Sequence, residues 1–274
     1  MRAARALGAV KLVLLAAAVV LSLLPTAIAL NAVLKDDAEL AGQQHWIPER
    51  LTLDNLARVL GDSTVWGWVG NSAIIAVGVT AVVLVLGVPA AYVLARREFP
   101  GRRAFLLLVV VTQTVAPAVL IIPLFRMLAT AKALNTYGGV ILVAAAFVLP
   151  FSIWLLTGFF AEALPREVEE AASLDGASGF VFMSRMLVPN SVPGIAATAI
   201  FAFMYGWNEY IFSLTFLSDQ GMWPIAIGAS SSVGMFSVDW SSLMVASLVG
   251  TIPVMALFIA LRRPLESGLG HTAL

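Results

Sequence analysis

Six apolar segments, each about 20 residues long, dominate this sequence and limit the folds open to it. They lie near residues 11–33, 68–95, 105–127, 138–160, 192–217 and 240–262. A helix of about 20 residues is long enough to cross the roughly 30 Å hydrocarbon core of a bilayer. The chain is 60% hydrophobic and 12% charged, whereas soluble domains carry about 25% charged residues. We therefore predict an all-α, polytopic membrane protein with six transmembrane helices.

The first apolar segment has a second interpretation. Ala27-Ile28-Ala29 resembles the small-residue cleavage site at the end of a secretory signal peptide. The apolar run continues to about Val33, however, and this length favours a retained transmembrane helix.

Basic residues are distributed unequally between the two sides of the predicted bundle. With both termini in the cytoplasm, eleven of the 16 Lys and Arg residues lie inside and five lie outside. Because cytoplasmic loops carry an excess of Lys and Arg, this orientation is the expected one. The inner residues are Arg2, Arg5, Lys11, Arg96, Arg97, Arg102, Arg103, Arg166, Arg185, Arg262 and Arg263, and the outer ones are Lys35, Arg50, Arg58, Arg126 and Lys132.

The connection between the fourth and fifth segments, about residues 161–190, is polar and predicts two short helices. Pro165 suits the first turn of a helix, and Gly176 suits the left-handed residue that follows a helix end. The apolar face of the first helix is formed by Val168, Ala171 and Ala172. A second apolar stripe, ended by Pro189, is formed by Phe180, Met183, Met186 and Leu187. Such a connection could dock into a cleft of another protein, or it could be a simple surface loop.

The amino-acid sequence of this connection resembles the EAA motif of ABC importer permeases. That motif reads Glu-Ala-Ala, three residues, Gly, nine residues, an aliphatic residue, one residue and Leu-Pro. The matching positions here are Glu170, Ala171, Ala172, Gly176, Met186, Val188 and Pro189, with Met and Val in place of the usual Ile and Leu. Asp175-Gly176-Ala177 is similar to the carbohydrate-uptake, maltose-type branch of these permeases. We refer to residues 161–190 as the EAA loop.

The resemblance covers most of the chain after about residue 50. Similar residues recur at Asn71-Ser72, Tyr137, Leu149-Pro150-Phe151, Trp207-Asn208-Glu209, Asp239-Trp240, Pro253 and Gly268-Leu269. It implies the type I ABC importer permease fold in a bacterial plasma membrane, with a cytoplasmic EAA loop. It also implies three regions: residues 1–67 as an N-terminal helix and short extracytoplasmic segment, 68–262 as the permease core, and 263–274 as a cytoplasmic tail.

Function and partners are also implied by the resemblance. The chain would be one permease subunit of an importer for a sugar or polyol, paired with a second permease in a heterodimer. Two ATPase subunits would bind ATP and Mg²⁺, and an extracytoplasmic solute-binding protein, which could be a lipoprotein, would deliver the solute. The ATPase-coupling residues would be Glu170, Ala171, Ala172, Asp175, Gly176 and Ala177.

Polar residues inside the apolar segments are candidates for the substrate pathway. Trp207 could stack on a sugar ring while Asn208 and Glu209 bond its hydroxyls. A carboxylate near mid-bilayer costs roughly 2.5–3.5 kcal/mol, so Glu209 should face the bundle or water. The competing interpretation is a polar clamp between helices, which we favour for Glu209. Gln113 could line the pathway or satisfy an irregularity at Pro117.

The sequence also excludes several classes of site. None of its three lysines follows a glycine, so a Walker A phosphate loop is absent. The chain has no Cys and a net charge of zero, so neither a thiolate metal site nor a nucleic-acid surface is indicated. We therefore expect no enzyme and no cofactor of its own in this chain. An importer of a phosphorylated polyol and, less favoured, an ion-coupled secondary transporter using Glu209 remain alternatives, whereas a membrane enzyme would need more catalytic residues.

Overall fold

The computed structural model describes residues 2–42, 48–234 and 238–269, so the end of the tail, 270–274, lies outside the described residues. Within these ranges the regular structure is helical, apart from one isolated β-bridge between Val233 and Val238. The α-helices are α1 (Arg2–Val33), α2 (Asp37–Ala41), α3 (Asp54–Gly61), α4 (Ser63–Arg96), α5 (Arg102–Thr112), α6 (Ile121–Thr130), α7 (Tyr137–Glu162), α8 (Arg166–Leu174), α9 (Gly179–Phe182), α10 (Val188–Asn190), α11 (Val192–Trp207), α12 (Ile211–Phe216), α13 (Ile225–Ser231) and α14 (Trp240–Leu269). The all-α prediction is confirmed.

Four of the six predicted apolar segments form single long helices. Each is long and apolar enough to cross a bilayer, with mean hydropathy between 2.3 and 2.5 over its most apolar window. They correspond to the first, second, fourth and sixth segments. Their bounds are Lys11–Val33, Ser63–Arg96, Tyr137–Glu162 and Trp240–Arg262.

The third segment differs from a continuous span because it is divided. Helix α5 ends at Thr112, and a 3₁₀ turn, Pro117–Leu120, leads into α6. Pro117 has no N–H to donate, and its ring disfavours the helical region for the preceding residue. Ala116 accordingly has an extended ψ of 129°. Proline chemistry therefore explains why the helix stops here.

The fifth segment is also divided. Helix α11 ends at Trp207, and α12 begins four residues later at Ile211. At its other end, α11 is bent by 83° from the preceding helical segment, Gly179–Asn190. The chain therefore changes direction at both ends of α11.

The chain divides into two compact units. One comprises Met1–Trp66 and Gly228–Ile252, and the other comprises Gly67–Ile227 and Pro253–Leu274. The boundaries between the units fall within α4, α13 and α14, and the division of the chain into residues 1–67, 68–262 and 263–274 stays a prediction. In the first unit, the Asp37 carboxylate accepts a hydrogen bond from Ser241 Oγ and pairs with Arg58 at 3.2 Å.

The core of the second unit lies between four helices, α4, α7, α11 and α12. Close approach of α11 to α4 depends on Gly206, where an added Cβ would lie 2.8 Å from the Ala76 Cα. This distance is shorter than side chains tolerate, so only a glycine fits without a shift. The buried residues of this core are Ile75, Val79, Val83, Val140, Val143, Ala144, Ala145, Val148, Ala202, Phe212, Phe216 and Leu217.

Candidate functional sites

The first helix of the EAA loop, α8, ends in a complete Schellman motif. Gly176 has a left-handed φ of +83°, as the sequence predicted. Its N–H donates to the Ser173 carbonyl at 3.1 Å, and the Ala177 N–H donates to the Ala172 carbonyl at 2.9 Å. These bonds satisfy carbonyls that a helix end would otherwise leave free. The break at Gly176 is therefore a defined turn.

One face of α8 is buried and the other is exposed. Val168 and Ala172 pack into a cluster with α4 and α7, but Ala171, which the sequence placed on the apolar face, is exposed. Of the predicted coupling residues, Ala172 is buried and Ala177 half-buried, while the others lie on the outer surface. The exposed residues around the turn are Glu170, Ala171, Ser173, Leu174, Asp175 and Gly176.

Two large apolar side chains flank this turn on the outside. Leu174 is 89% exposed and Phe180 is 72% exposed. The sequence interpretation did not single out Leu174. Phe180 belongs to the predicted second apolar stripe and is its exposed member, since the other three pack into the core. The sequence did offer a signal for Leu174, which is an apolar residue two positions before the glycine that ends the helix. Together Leu174 and Phe180 give the exposed face of the EAA loop an apolar part that could be covered by another protein.

The buried face of the second helix contains three of the four residues of the predicted apolar stripe, Met183, Met186 and Leu187, together with Phe182. The helix runs through α9, a π-helical turn (Met183–Leu187) and α10, and so continues past Pro189 to Asn190. Phe182 and Leu187 are buried at 2% and 0% exposure. A π turn bonds residues five apart, so Phe182 and Leu187 fall on one face. Phe182, not Phe180, therefore fills the core.

Two arginine contacts hold the EAA loop to the end of α4. Arg96 donates to the Leu164 carbonyl at 2.8 Å. Arg166, the first residue of α8, donates to Glu98 at 3.1 Å, although both side chains are exposed. Exposed ion pairs contribute little, so the buried Arg96 contact is the stronger of the two.

The candidate pathway residues at the end of α11 have different surroundings. Trp207 is 3% exposed, and its ring stacks on Phe203 with centroids 5.8 Å apart. Asn208 is exposed, and its Nδ2 donates to the Met204 carbonyl at 2.8 Å. Of this pair, only Asn208 has an exposed side chain.

Glu209 caps the helix that follows it. Its carboxylate accepts from the backbone N–H groups of Phe212 and Ser213 at 2.6 and 2.8 Å, and from Ser213 Oγ. The residue is 5% exposed. A carboxylate at this position satisfies N–H groups that the first turn of a helix cannot bond internally. The contact joins Glu209 to α12 of its own segment, whereas the sequence suggested a clamp to a neighbouring helix.

Gln113 lies at the break between α5 and the 3₁₀ turn. Its side chain is exposed, and Nε2 donates to the Phe147 carbonyl of α7 at 3.3 Å. This bond fastens the interrupted segment to α7. None of the hydrogen bonds in the described residues links Gln113 to Asn208 or Glu209.

Comparison with known proteins decides the family. Residues 84–269, more than half of the chain, match the family described as "Binding-protein-dependent transport system inner membrane component". The chain belongs to this family. It is the permease component of such an importer and is not an ATPase, because ATP hydrolysis in these systems is carried out by separate subunits.

Relatives and a solved structure agree with this membership. The chain is 33% identical over 246 residues to the diacetylchitobiose uptake system permease protein NgcG of Streptomyces coelicolor, covering 89% of this chain and 81% of the relative. It is 32% identical to the trehalose/maltose transport system permease protein MalG of Thermococcus litoralis, covering 81% of each. A bacterial ABC transporter involved in import of the polysaccharide alginate shares the fold, with a TM-score of 0.80, 21% identity and coverage of 96% and 98%. The resemblance to ABC importer permeases is confirmed.

We predict that Glu209→Ala lowers the melting temperature of the detergent-solubilised complex. The substitution leaves the buried N–H groups of Phe212 and Ser213 without their acceptor, at a cost of roughly 1–3 kcal/mol. Transport of every substrate should fall by the same factor. Asn208→Ala, whose side chain is exposed, is the matched control and should leave the melting temperature unchanged. Unchanged stability with a substrate-selective defect in Glu209→Ala would contradict the capping role.

Proposed function

We propose that this chain is one permease subunit of an ATP-driven importer for a sugar or related polyol in a bacterial plasma membrane. The observation that carries the proposal is the exposed surface of α8 and its Schellman turn. This surface presents the EAA-motif residues Glu170, Ala171 and Gly176, which are exposed. A surface of this kind can receive the motion of an ATPase, because the same helix is packed to the bundle through Ala172.

Relatives support the carbohydrate class. The two curated relatives described above are named for diacetylchitobiose and for trehalose/maltose, and the chain covers about four fifths of each. The substrates in these names are oligosaccharides of different composition. We infer that the substrate of this chain is also a glycoside or polyol.

The assembly that we propose contains three kinds of partner. A second, related permease completes the pathway as a heterodimer, and two ATPase subunits bind ATP and Mg²⁺ and press on the EAA loop. A solute-binding protein outside the cell, which could be a lipoprotein, delivers the solute. Because it binds one state of the permease better than the other, it shifts the equilibrium between inward-open and outward-open states.

The surroundings of the candidate pathway residues reduce the number of them that could contact a solute. Asn208 and Gln113 are exposed within this chain, which supports them as the residues that could meet a solute. Trp207 and Glu209 are occupied by Phe203 and by α12, so we assign them to the scaffold of the pathway. Asn208 can both donate to and accept from a sugar hydroxyl.

The proposed function is tested with the complete complex in lipid vesicles. The partner solute-binding protein is first screened by thermal shift against diacetylchitobiose, trehalose, maltose and glycerol 3-phosphate. Uptake of the best ligand into vesicles should require both ATP and the binding protein. Stabilisation by glycerol 3-phosphate alone would indicate the phosphorylated-polyol alternative, and uptake without ATP would indicate a secondary transporter.

Our prediction for coupling concerns Gly176→Leu combined with Glu170→Ala. A side chain at the left-handed Gly176 costs roughly 1–2 kcal/mol of backbone strain and also enlarges the surface that faces the ATPase. Uptake and binding-protein-stimulated ATP hydrolysis should both collapse while the chain still inserts. Gly101→Leu is the matched control, since Gly101 has φ +93° and equally open surroundings but lies outside the EAA loop. Full uptake by the double variant would refute the assignment.

Orientation gives a further prediction. Ser173→Cys should react with a membrane-impermeant maleimide only from the cytoplasmic side, and Ser231→Cys only from outside. Both positions are exposed, and the chain has no Cys of its own, so background labelling is absent. The excess of basic residues on the inner side is the physical reason. Labelling from the opposite sides in spheroplasts and inverted vesicles would overturn the cytoplasmic assignment of the termini and the EAA loop.

A further inference from the structure

The end of α4 carries a cluster of three titratable side chains that meet at the EAA loop. The Tyr92 hydroxyl donates to Glu169 Oε1 at 2.8 Å. Arg97 Nη2 donates to the Tyr92 hydroxyl oxygen at 3.2 Å and lies 3.4 Å from Glu169 Oε1. Glu169 belongs to α8, so this cluster joins the long helix α4 directly to the helix that contains Glu170, Ala171 and Ala172 of the EAA motif.

Tyr92 is the buried centre of this cluster. It is 7% exposed, and its ring packs against Phe182 of α9 with centroids 6.4 Å apart. A Cβ added to Gly179 would lie 3.1 Å from the Tyr92 hydroxyl, so α9 starts directly against it. The hydroxyl therefore contacts or borders α4, α8 and α9 together. Arg97 is more than half exposed, and such an ion pair contributes little alone, which makes the Tyr92 hydroxyl the decisive group.

The other end of α4 is fixed to the connection between α12 and α13. Asn71 Nδ2 donates to the carbonyls of Gly221 and Trp223 at 2.8 and 2.9 Å. The adjacent Ser72 Oγ accepts from the Ile225 N–H at 2.9 Å. Tyr137 of α7 donates to Asn71 Oδ1 at 2.7 Å and orients the amide. Residues 218–225 are therefore held by side chains of α4.

Helix α4 is continuous between these two attachments. It is helical throughout from Ser63 to Arg96, although Pro89 lies inside it, and Asn71 and Tyr92 are roughly 32 Å apart along its axis at about 1.5 Å per residue. All of these contacts lie in one compact unit, Gly67–Ile227. A helix fixed to one loop at each end can carry a displacement from one loop to the other.

We propose that Tyr92 is a positioning residue that locks the EAA loop to α4, so that α4 carries ATPase-driven movement to residues 218–225 at its opposite end. Arg97 and Glu169 hold the Tyr92 hydroxyl in place. The inference rests on the proposed function, because it assumes that the EAA loop receives the motion of an ATPase. It adds a route of transmission within this chain and names the residues at both ends of that route.

Tyr92→Phe is the first test, because it removes only the hydroxyl. The complete complex is placed in lipid vesicles with the binding protein and the sugar that stabilises it most in the screen above. Stimulated ATP hydrolysis and uptake should fall about tenfold, because the EAA loop and α4 would no longer move together. ATP hydrolysis without binding protein should stay unchanged, and the melting temperature should fall only by the small amount expected for one lost buried hydrogen bond. An equal fall in hydrolysis with and without binding protein would show a role in folding and overturn the proposal.

A matched pair of carboxylates supplies a second variant. Glu169→Ala removes the acceptor of the Tyr92 hydroxyl and should reproduce the Tyr92→Phe defect. Glu162→Ala removes an exposed carboxylate at the end of α7 and should behave as the unaltered chain. Equal effects of the two substitutions would overturn the positioning role.

The route through α4 is tested by combining Tyr92→Phe with Asn71→Ala. If both substitutions interrupt the same route, the double variant should be no more defective than the worse single variant in stimulated ATP hydrolysis. Independent effects would multiply and would exclude α4 as the link. An unaltered complex that shows no stimulation would overturn the proposed function itself, whereas normal stimulation that Tyr92→Phe leaves intact would overturn only this inference.

Discussion

The need to satisfy backbone hydrogen bonds in a low-dielectric medium governs this structure. Within a bilayer an unpaired N–H or C=O group costs several kcal/mol, so every break in a spanning helix needs a polar partner. Both interrupted segments obey this constraint. The fifth restarts on the Glu209 carboxylate, and at the break in the third the N–H groups of Thr114 and Val115 donate to the Val111 and Thr112 carbonyls. The side chains of Asn71 and Asn135 also bond backbone groups of the connection after α12. Asn71 donates to the Gly221 carbonyl, and Asn135 Oδ1 accepts from the N–H groups of Ser218 and Asp219.

The same constraint explains how much of the fold could be read from the sequence. Long apolar runs, Pro117 and Gly176 each act through local chemistry, so four spans, one break and one left-handed turn were predictable. The burial of Phe182 in place of Phe180 was not, because a π turn changes which residues share a face. Phe180 and Phe182 are both aromatic, and only the bonding pattern of the turn decides that Phe182 is buried. Partners of Glu209 and Tyr92 likewise depend on contacts that no periodicity encodes.

In the EAA loop, the residues that attach the loop to the bundle are different from those that are exposed to a partner. Its inner residues, Ala172, Phe182 and Leu187, bury apolar surface against α4 and α7. Its outer residues, with Leu174 and Phe180, keep apolar surface exposed beside charged groups. Small side chains at Ala171 and Gly176 let another protein approach the backbone closely. A loop built in this way can be pushed without unfolding, since the contacts that a partner would make are distinct from those that hold the loop in place.

Assigning Trp207 and Glu209 to the scaffold has a consequence for specificity. Trp207 stacks on Phe203 and Glu209 caps α12, so both side chains serve the fold whatever the solute is. A permease can then keep these two residues while its substrate changes. Exposed groups such as Asn208 can bond a hydroxyl, but one amide distinguishes sugars weakly. We infer that neither Trp207 nor Glu209 contributes much to substrate discrimination.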